Sequence, residues 1–431
     1  MTGANAAVIA RTRGKVSFSY QLSSALALAW DSIRAHKLRS FLTLLGVIIG
    51  VASVILVGSA IDGLGLYAEE STAKAFGSES YLVAQVAGAG GMTRKEYQNK
   101  LQYNKQITLH DDRYLQSTNG DTTMYSPYRQ NQSDTKREGV TLEETSILGV
   151  SADMVDIRDI NVVQGRFFTP PEESSGSNVA VIGDDLKTTL FPGNDSPLGL
   201  TFKIQGIDFT VVGIVEKLGS AFGRSQDNAA YIPVTVFNRI YGSGQGMAIF
   251  ARPRKESGLT MDQSLDLTRV ALRNRFHQKP GEVDRFDFVT PDAIRGFIDS
   301  LLAVVAAVVV PVTLISLVVG GIVIMNIMLV SVTERTREIG IRKALGARRN
   351  DIMLQILIEA VIMAFAGGAI GVAIGAVITI GLTAALGITL RVTIFYVALS
   401  VIVSATVGIV SGWYPALKAS KLDPIVALRA E

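Results

Sequence analysis

Four stretches of the chain, 41–61, 301–333, 360–390 and 392–417, carry no charged side chain over 21, 33, 31 and 26 positions. A helix needs about 20 apolar residues to cross a hydrocarbon layer ~30 Å thick. Each run is long enough, so the pattern predicts an integral membrane protein with four transmembrane α-helices, at 41–61, 301–333, 353–386 and 392–417. Residues 1–40, 334–352 and 418–431 are left as polar flanks. Residues 62–300 form one large domain between the first and second spans.

Within the polar regions the periodicity changes. Leu22, Leu26, Ala29 and Ile33 recur at helical spacing between Tyr20 and Leu38. They predict an amphipathic juxtamembrane helix on the inner membrane surface, with a plain extension of the first span as the alternative. In the large domain, 178–183, 200–206, 208–216 and 229–234 read as short strands, the second and third joined at Gly206-Ile207 as a hairpin. Helical patterns lie at 184–191 and 260–277, where Leu265, Leu267, Val270, Leu272 and Phe276 supply an apolar face. The glycine-rich "AGAGGM" at 87–92 reads as a loop. The expected domain is α+β, in two lobes, with stalk helices and no internal repeat. Thr290-Pro291-Asp292 is a helix start, with a capping hydroxyl, a first-turn proline and an early acid. A helix from there to Thr333 is 43 residues or about 65 Å long, more than a bilayer needs, and the excess is a stalk.

Charge sets the orientation. Six basic residues stand against Asp31 in the first 40 positions, six more lie between the second and third spans, and Lys418, Lys421 and Arg429 follow the fourth. Parity puts all three segments on one side, and their basic character makes that side cytoplasmic, with both termini inside. Residues 62–300 carry 25 Lys and Arg against 31 Asp and Glu, a net −6 opposite in sign to the flanks. The overall pI near 8.9 averages two environments and gives no case for nucleic acid. The first apolar run begins too late and is too long for a cleaved signal, so it reads as a retained anchor. With no cysteine, the outer domain holds together by packing alone.

Catalytic chemistry is hard to find. His36, His110 and His277 show no metal-ligand spacing. Paired acids such as Asp111-Asp112 and Glu143-Glu144 read as solvated surface. No G-x-x-x-x-G-K-[ST] loop or G-x-S-x-G elbow occurs, so the chain reads as no enzyme, with no cofactor or metal of its own. The spans lack the ionisable residues that ion-coupled transporters place at mid-membrane, and Glu359 reads as a residue reaching the inner interface.

What remains is "ERTREIGIRKALGARR", 334–349, with six basic and two acidic residues between apolar runs. Contact with lipid head groups is one reading. The other is a short rigid helix: Glu338 and Arg342 are spaced i, i+4, Ile339, Ile341, Ala344 and Leu345 are apolar anchors, and Gly346 is a helix stop. Such a helix, wedged between two spans, is suited to receive force from a partner.

"SVTERTREIGIRKALGARRNDIMLQILIEA" (331–360) closely resembles the FtsX-type permease signature of ABC transporters. "AHKLRSFLTLLGVIIGVASVI" (35–55), "GVSADMVDIRDINVVQGRFFTP" (149–170), "VAVIGDDLKTTLF" (179–191) and "GWYPALKASKLDPIVALRAE" (412–431) are similar to the MacB-type exporters. The resemblance spans nearly the whole chain. It implies a porter-like lobe plus an inserted lobe outside the membrane, and a homodimer working with a separate ABC ATPase that binds the ATP and Mg. The chain would be a split form lacking the fused ATPase. ATP-driven motion would pass by mechanotransmission to the outer domain to export antibiotics, peptides or lipid-like molecules. A periplasmic adaptor and an outer-membrane channel are further partners left open. The resemblance makes Glu334, Arg335, Glu338, Ile339, Gly340, Arg342, Lys343, Ala344 and Gly346 the ATPase-coupling residues. Two other readings share this topology: a lipoprotein-releasing permease of the LolC/LolE type, and an FtsX-like signalling permease controlling a cell-wall hydrolase.

Overall fold

The computed structural model describes residues 37–429 apart from 78, 89–91, 222–223, 244–245 and 387–388. Nearly all of the amphipathic helix expected at 20–38, and part of the 87–92 loop, lie outside the described residues. The chain divides into two units, one holding residues up to Tyr67 and from Leu301 on, the other Ala68–Ser300.

The chain enters through α1 (Lys37–Phe76), which does not end where its charge-free run does. Asp62 marks the end of the apolar stretch only. The helix ends 14 residues later, at Phe76, and is followed by Gly77, whose φ of +84° is the left-handed stop that glycine adopts freely. Then follow β1 (Tyr81–Ala84), α2 (Arg94–Tyr103), α3 (Leu109–Asn119), β2 (Thr123–Arg137), β3 (Val140–Val150), α4 (Met154–Ile157) and β4 (Val162–Gly165). Next are α5 (Pro170–Ser175), β5 (Val179–Ile182), α6 (Asp184–Leu190), β6 (Thr201–Ile204), β7 (Ile207–Val215), β8 (Ser220–Ala221) and β9 (Arg224–Ser225). The unit closes with β10 (Ala229–Pro233), α7 (Val234–Tyr241), β11 (Ala248–Pro253), α8 (Met261–Arg275) and β12 (Asp287–Val289).

Ten of these strands make one mixed sheet in the order β12-β1-β11-β2-β3-β10-β5-β7-β4, with β6 pairing to β2 and β7. Period-two alternation sorts the side chains onto two faces. On one face, Tyr81, Val83, Tyr125, Ile249 and Ala251 pack with Leu115 of α3 and Leu272 of α8. Further along that face, Ala180, Ile182, Ala230 and Ile232 pack with Leu186 of α6 and Phe237 of α7. The intervening residues Val181, Tyr231 and Phe250 turn to the other face and cover Met154 and Ile157 of α4. The two expected lobes are therefore two helix-backed halves of one continuous sheet. The β6–β7 hairpin turns one residue earlier than the sequence predicts. Ile204 pairs with Ile207, leaving Gln205 and Gly206 as the loop. Both have positive φ, 49° and 81°, the requirement of the tight turn that matches strand twist.

The membrane unit contains the first part of α1, α9 (Pro291–Glu334), α10 (Thr336–Ala344), α11 (Arg349–Leu386), α12 (Ile394–Ser420) and α13 (Pro424–Arg429). Four of the described helices are long and apolar enough to cross a membrane. The Thr290 hydroxyl accepts from the Ala293 N–H at 3.2 Å, which caps α9 at its predicted start, and the helix runs unbroken through Pro311. Small residues set the packing. Gly367, Gly371 and Gly375, one turn apart on α11, lie against Val47, Val51 and Ile55 of α1. Gly46 of α1 meets Gly320 of α9 so closely that a Cβ on either would lie within 3 Å of the other's backbone. On α12, Gly408 and Gly412 sit against Ala364 and Ala360, and the Ser404 hydroxyl donates to the Ala364 carbonyl at 2.6 Å. In lipid, where the surroundings are as apolar as the helices, such close approach is what favours association.

Two outcomes test this packing. Gly371→Leu should force α1 and α11 apart, because a Cβ there already falls 2.9 Å from Val51 Cβ. Over-packing of this kind costs about 1–3 kcal/mol, so the detergent-solubilised protein should melt several degrees lower, and an unchanged melting temperature would contradict the packing. The second concerns Asp112 on α3. The reading of Asp111-Asp112 as solvated surface is corrected, since both are buried; Asp112 accepts from Gln116 through one oxygen, and its Oδ1 has no hydrogen-bond partner. Burial, with Glu173 and Asp153 nearby, pushes its carboxyl up to about 7. The unfolded carboxyl titrates near ~3.9, so this group's contribution to stability is fully present below that pH and is lost as pH rises through 7. Asp112→Asn should raise the melting temperature of the protein at pH 8 and leave it nearly unchanged at pH 4.

Candidate coupling site

The charged segment after α9 folds into α10, and local chemistry fixes both of its ends. Helix α9 stops at Glu334, and Arg335 takes φ −99° and ψ 16°, outside helical geometry. Glu334 and Glu338, one turn apart in sequence, therefore lie on separate helices. At the other end the Gly346 N–H donates to the Lys343 carbonyl and the Ala347 N–H to the Arg342 carbonyl, each at 3.0 Å. Gly346 has φ +98°. That is the paired-bond Schellman stop, and its left-handed residue is the glycine that the sequence singles out.

Each candidate side chain now has a place. Ile339 is buried in the membrane unit's core beside Val332, Ile352 and Ile356. Arg335 donates to the Glu359 carboxylate at 3.2 Å. Glu338 and Arg342 form the i, i+4 pair, and Arg342 also donates to Gln355 Oε1 at 2.9 Å. These groups line a small cavity of about 30 Å³ between α9, α10 and α11. The Lys343 ammonium donates to the carbonyls of Ser420 and Leu422, at 2.5 and 2.7 Å. Gly340 is buried against α13, where a Cβ would fall 2.7 Å from Ala427 Cβ. Ala344 and Gly346 are exposed, together with Arg337, Ile341, Leu345 and Arg348.

One face of α10 is thus tied to its own bundle and the other is bare. Of the apolar anchors that the sequence offers, Ile339 points inward and Ile341, Ala344 and Leu345 outward. The reading of Glu359 as a residue merely reaching the interface is corrected: it is buried and ion-paired with Arg335. The sequence reading also passes over Gln355, Ala427 and the carbonyls of Ser420 and Leu422. Gln355 and Glu359 stand one turn apart on α11, a spacing that marks one helix face. Nothing in the sequence pairs Gly340 with Ala427, 87 positions away.

Two further features bear on the unit's chemistry. At the far end of the bundle the Asp62 carboxylate accepts from Thr393 at 2.9 Å and Tyr396 at 3.2 Å, tying α1 to the start of α12. In the 68–300 unit, one sheet face carries an open groove of about 620 Å³, with Tyr128, Leu148 and Tyr231 on its floor and Gln130, Gln132, Glu144 and Asn228 on its walls. Among the described residues no group of three or more His, Asp or Glu side chains is placed to hold a metal ion.

Comparison with known proteins adds the relationship. Residues 40–263 match the MacB-like periplasmic core domain, and residues 310–424 the FtsX-like permease C-terminal family. A macrolide export ATP-binding/permease protein MacB from Bdellovibrio bacteriovorus is 35% identical over 413 residues, covering 93% of this chain and 61% of its own. The Escherichia coli protein of that name is 31% identical over 437 residues, covering 100% of this chain and 64% of its own. The chain thus spans less than two thirds of the length of these relatives. Among solved structures, the periplasmic region of MacB from Actinobacillus actinomycetemcomitans covers 53% of this chain and 95% of its own, with 17% identity and a TM-score of 0.41. With one match over the inserted domain and another over the bundle that holds α10, this chain belongs to the MacB-like permeases of the FtsX family.

Proposed function

We propose that this chain is the transmembrane permease of an ABC exporter, and that α10 receives the motion of an ATPase and passes it on by mechanotransmission. The observation that carries this reading is the two-sided character of α10. Its inner face is fixed to α9, α11 and α12 by a buried isoleucine and by Arg335–Glu359, Arg342–Gln355 and Lys343, while Arg337, Ile341, Leu345 and Arg348 face outward. A segment that only met lipid head groups would need neither the buried ion pair nor the shape of Gly340. Helices α1 and α9 continue without a break past Tyr67 and Leu301, which gives displacement at α10 a stiff route toward the 68–300 unit. Residues 334–352 and the termini then lie in the cytoplasm, and the basic flanks support that orientation.

The functional unit in this reading is a homodimer. Helix α9 buries little of its apolar surface within one chain, and with α12 it forms an apolar groove of about 450 Å³ lined by Leu314, Val318, Ile322 and Val407. A second copy would cover that surface. The relatives are named for macrolide export, so export of antibiotics or comparable amphipathic molecules is the proposed activity here, with the polar groove of the 68–300 unit as the surface that meets substrate. The charge-free runs supply no ionisable side chain along which such a molecule would cross.

Two measurements test the reading. The purified 431-residue chain should hydrolyse no ATP, since its sequence holds no phosphate-binding loop. An ABC ATPase from the same organism, reconstituted with it in nanodiscs, should turn over faster than without it. Robust hydrolysis by the chain alone would overturn the assignment of roles. Glu338→Lys should keep normal membrane levels but lose the stimulation, because it breaks the pair with Arg342 and adds a cation beside it. A pure lipid anchor predicts the reverse, intact or stronger membrane association with no effect on turnover. Full stimulation by that variant would leave α10 as a topological anchor only.

A further inference from the structure

Helix α13, the six-residue Pro424–Arg429, is too short to hold itself in water. Its start is set locally, with the Ile425 N–H donating to Asp423 Oδ1 at 2.8 Å and the Ala427 N–H to the Asp423 carbonyl at 2.9 Å. Pro424 takes the first helical position, where a missing N–H has no consequence. The rest of its order comes from α10. Ala427 is buried against Gly340, and the Lys343 ammonium clasps the Ser420 and Leu422 carbonyls on either side of the turn that leads into α13. Only hydrogen at position 340 lets the two helices come this close.

What α13 turns outward is apolar. Ile425 and Val426 are 68% and 67% exposed, and on α10 Ile341 and Leu345 are 45% and 84% exposed. Single exposed apolar residues are ordinary. Four of them on two short helices locked to each other form a prepared surface. The bilayer is the other candidate to cover it, and the bundle argues against that. Trp413 and Tyr414 on α12 are both exposed, and aromatics of this kind near the end of a span are enriched at head-group level. Ser420 lies six residues further along α12, or about 9 Å, with Lys418 and Lys421 flanking it. The clasp from Lys343 holds α10 at that level, past the aromatic pair, which favours water over lipid as the surroundings of both helices.

We propose that the surface receiving the ATPase is composite: α13 belongs to it, Ile425 and Val426 are its second pair of apolar anchors, and the Gly340–Ala427 contact sets α10 and α13 in register as one docking unit. This rests on the reading of α10 as the ATPase-facing segment and adds a second element to it. Exposed Arg337, Arg348, Arg349 and Lys421 outnumber the exposed Glu338 and Asp423 on these segments, so the partner surface it fits is an apolar groove with a rim of net negative charge.

The test uses the full chain in detergent, where no bilayer can substitute for a partner, and the ABC ATPase from the same organism that stimulates with it. Binding is measured by titration of the labelled ATPase. The double variant Ile425→Glu/Val426→Glu should bind at least about tenfold more weakly, the scale expected for loss of buried anchors, while the permease melts at the same temperature. Gly340→Ala should weaken binding as well, and Ala427→Gly added to it should restore binding by reopening the space. If Leu345→Glu abolishes binding while the α13 double variant binds like the parent, α13 is outside the surface and this inference falls, with the role of α10 intact. Failure of Ala427→Gly to rescue Gly340→Ala would overturn the register role. If the parent chain binds no such ATPase, both readings fall together.

Discussion

The close approach of backbones at small residues is the constraint on which the membrane unit depends. Apolar side chains gain little by leaving lipid for one another, so helices that hold together there do so through tight packing and a few polar contacts. Gly367, Gly371 and Gly375 seat α11 on α1, Gly46 and Gly320 bring α1 to α9, and Gly408 and Gly412 seat α12 on α11. The interhelical bond from Ser404 and the clamp of Asp62 by Thr393 and Tyr396 add direction to that packing. Everything attached to the inner ends of the helices inherits its position from these contacts.

Helix α10 shows the inheritance. It is nine residues long, and a helix of that length is marginal in water without tertiary support. Its support is Ile339 in the core, the Arg335–Glu359 and Arg342–Gln355 contacts to α11, and the Lys343 clasp on the end of α12. A buried ion pair is weak evidence of stability by itself, because desolvation offsets much of the Coulomb gain. Here it fixes geometry, since it ties the break after α9 to one turn of α11. The glycine logic of the bundle reappears at Gly340, where a missing side chain admits Ala427.

The inserted unit obeys a different solvent. It lies outside the charge-free runs and is built as water-soluble domains are, with one twisted sheet whose alternating residues fill cores on both faces. Its two lobes share strands, so the division between them lies in the helices that back each half and not in the sheet. The ion pair of Arg295 with Glu69, at 3.0 Å, joins the first turns of α9 to the last turns of α1 within this unit. The sequence implied excess helix length for α9 only, and the length of α1 beyond its apolar run emerges from the fold.

The four apolar runs, the contrast in charge between the flanks and the insertion, the α+β character of the insertion and the start of α9 at Pro291 are all legible in the amino-acid order. These follow from run length, charge and capping chemistry, which act over a few residues. It also marked 334–346 as a short helix ending at Gly346, since the i, i+4 pair and the left-handed stop are local as well. It marked the end of the first apolar run at Ile61 but not the end of α1, because loss of apolar character marks where a span ends and not where a helix does. Which side of α10 faces in, the ion pair of Glu359 and the contact of Gly340 with Ala427 come from the three-dimensional packing. Those contacts join residues 24 to 87 positions apart, and no periodicity along one helix encodes which turn of another will lie against it. The sequence supplied the small residues, and three-dimensional packing decided what they touch.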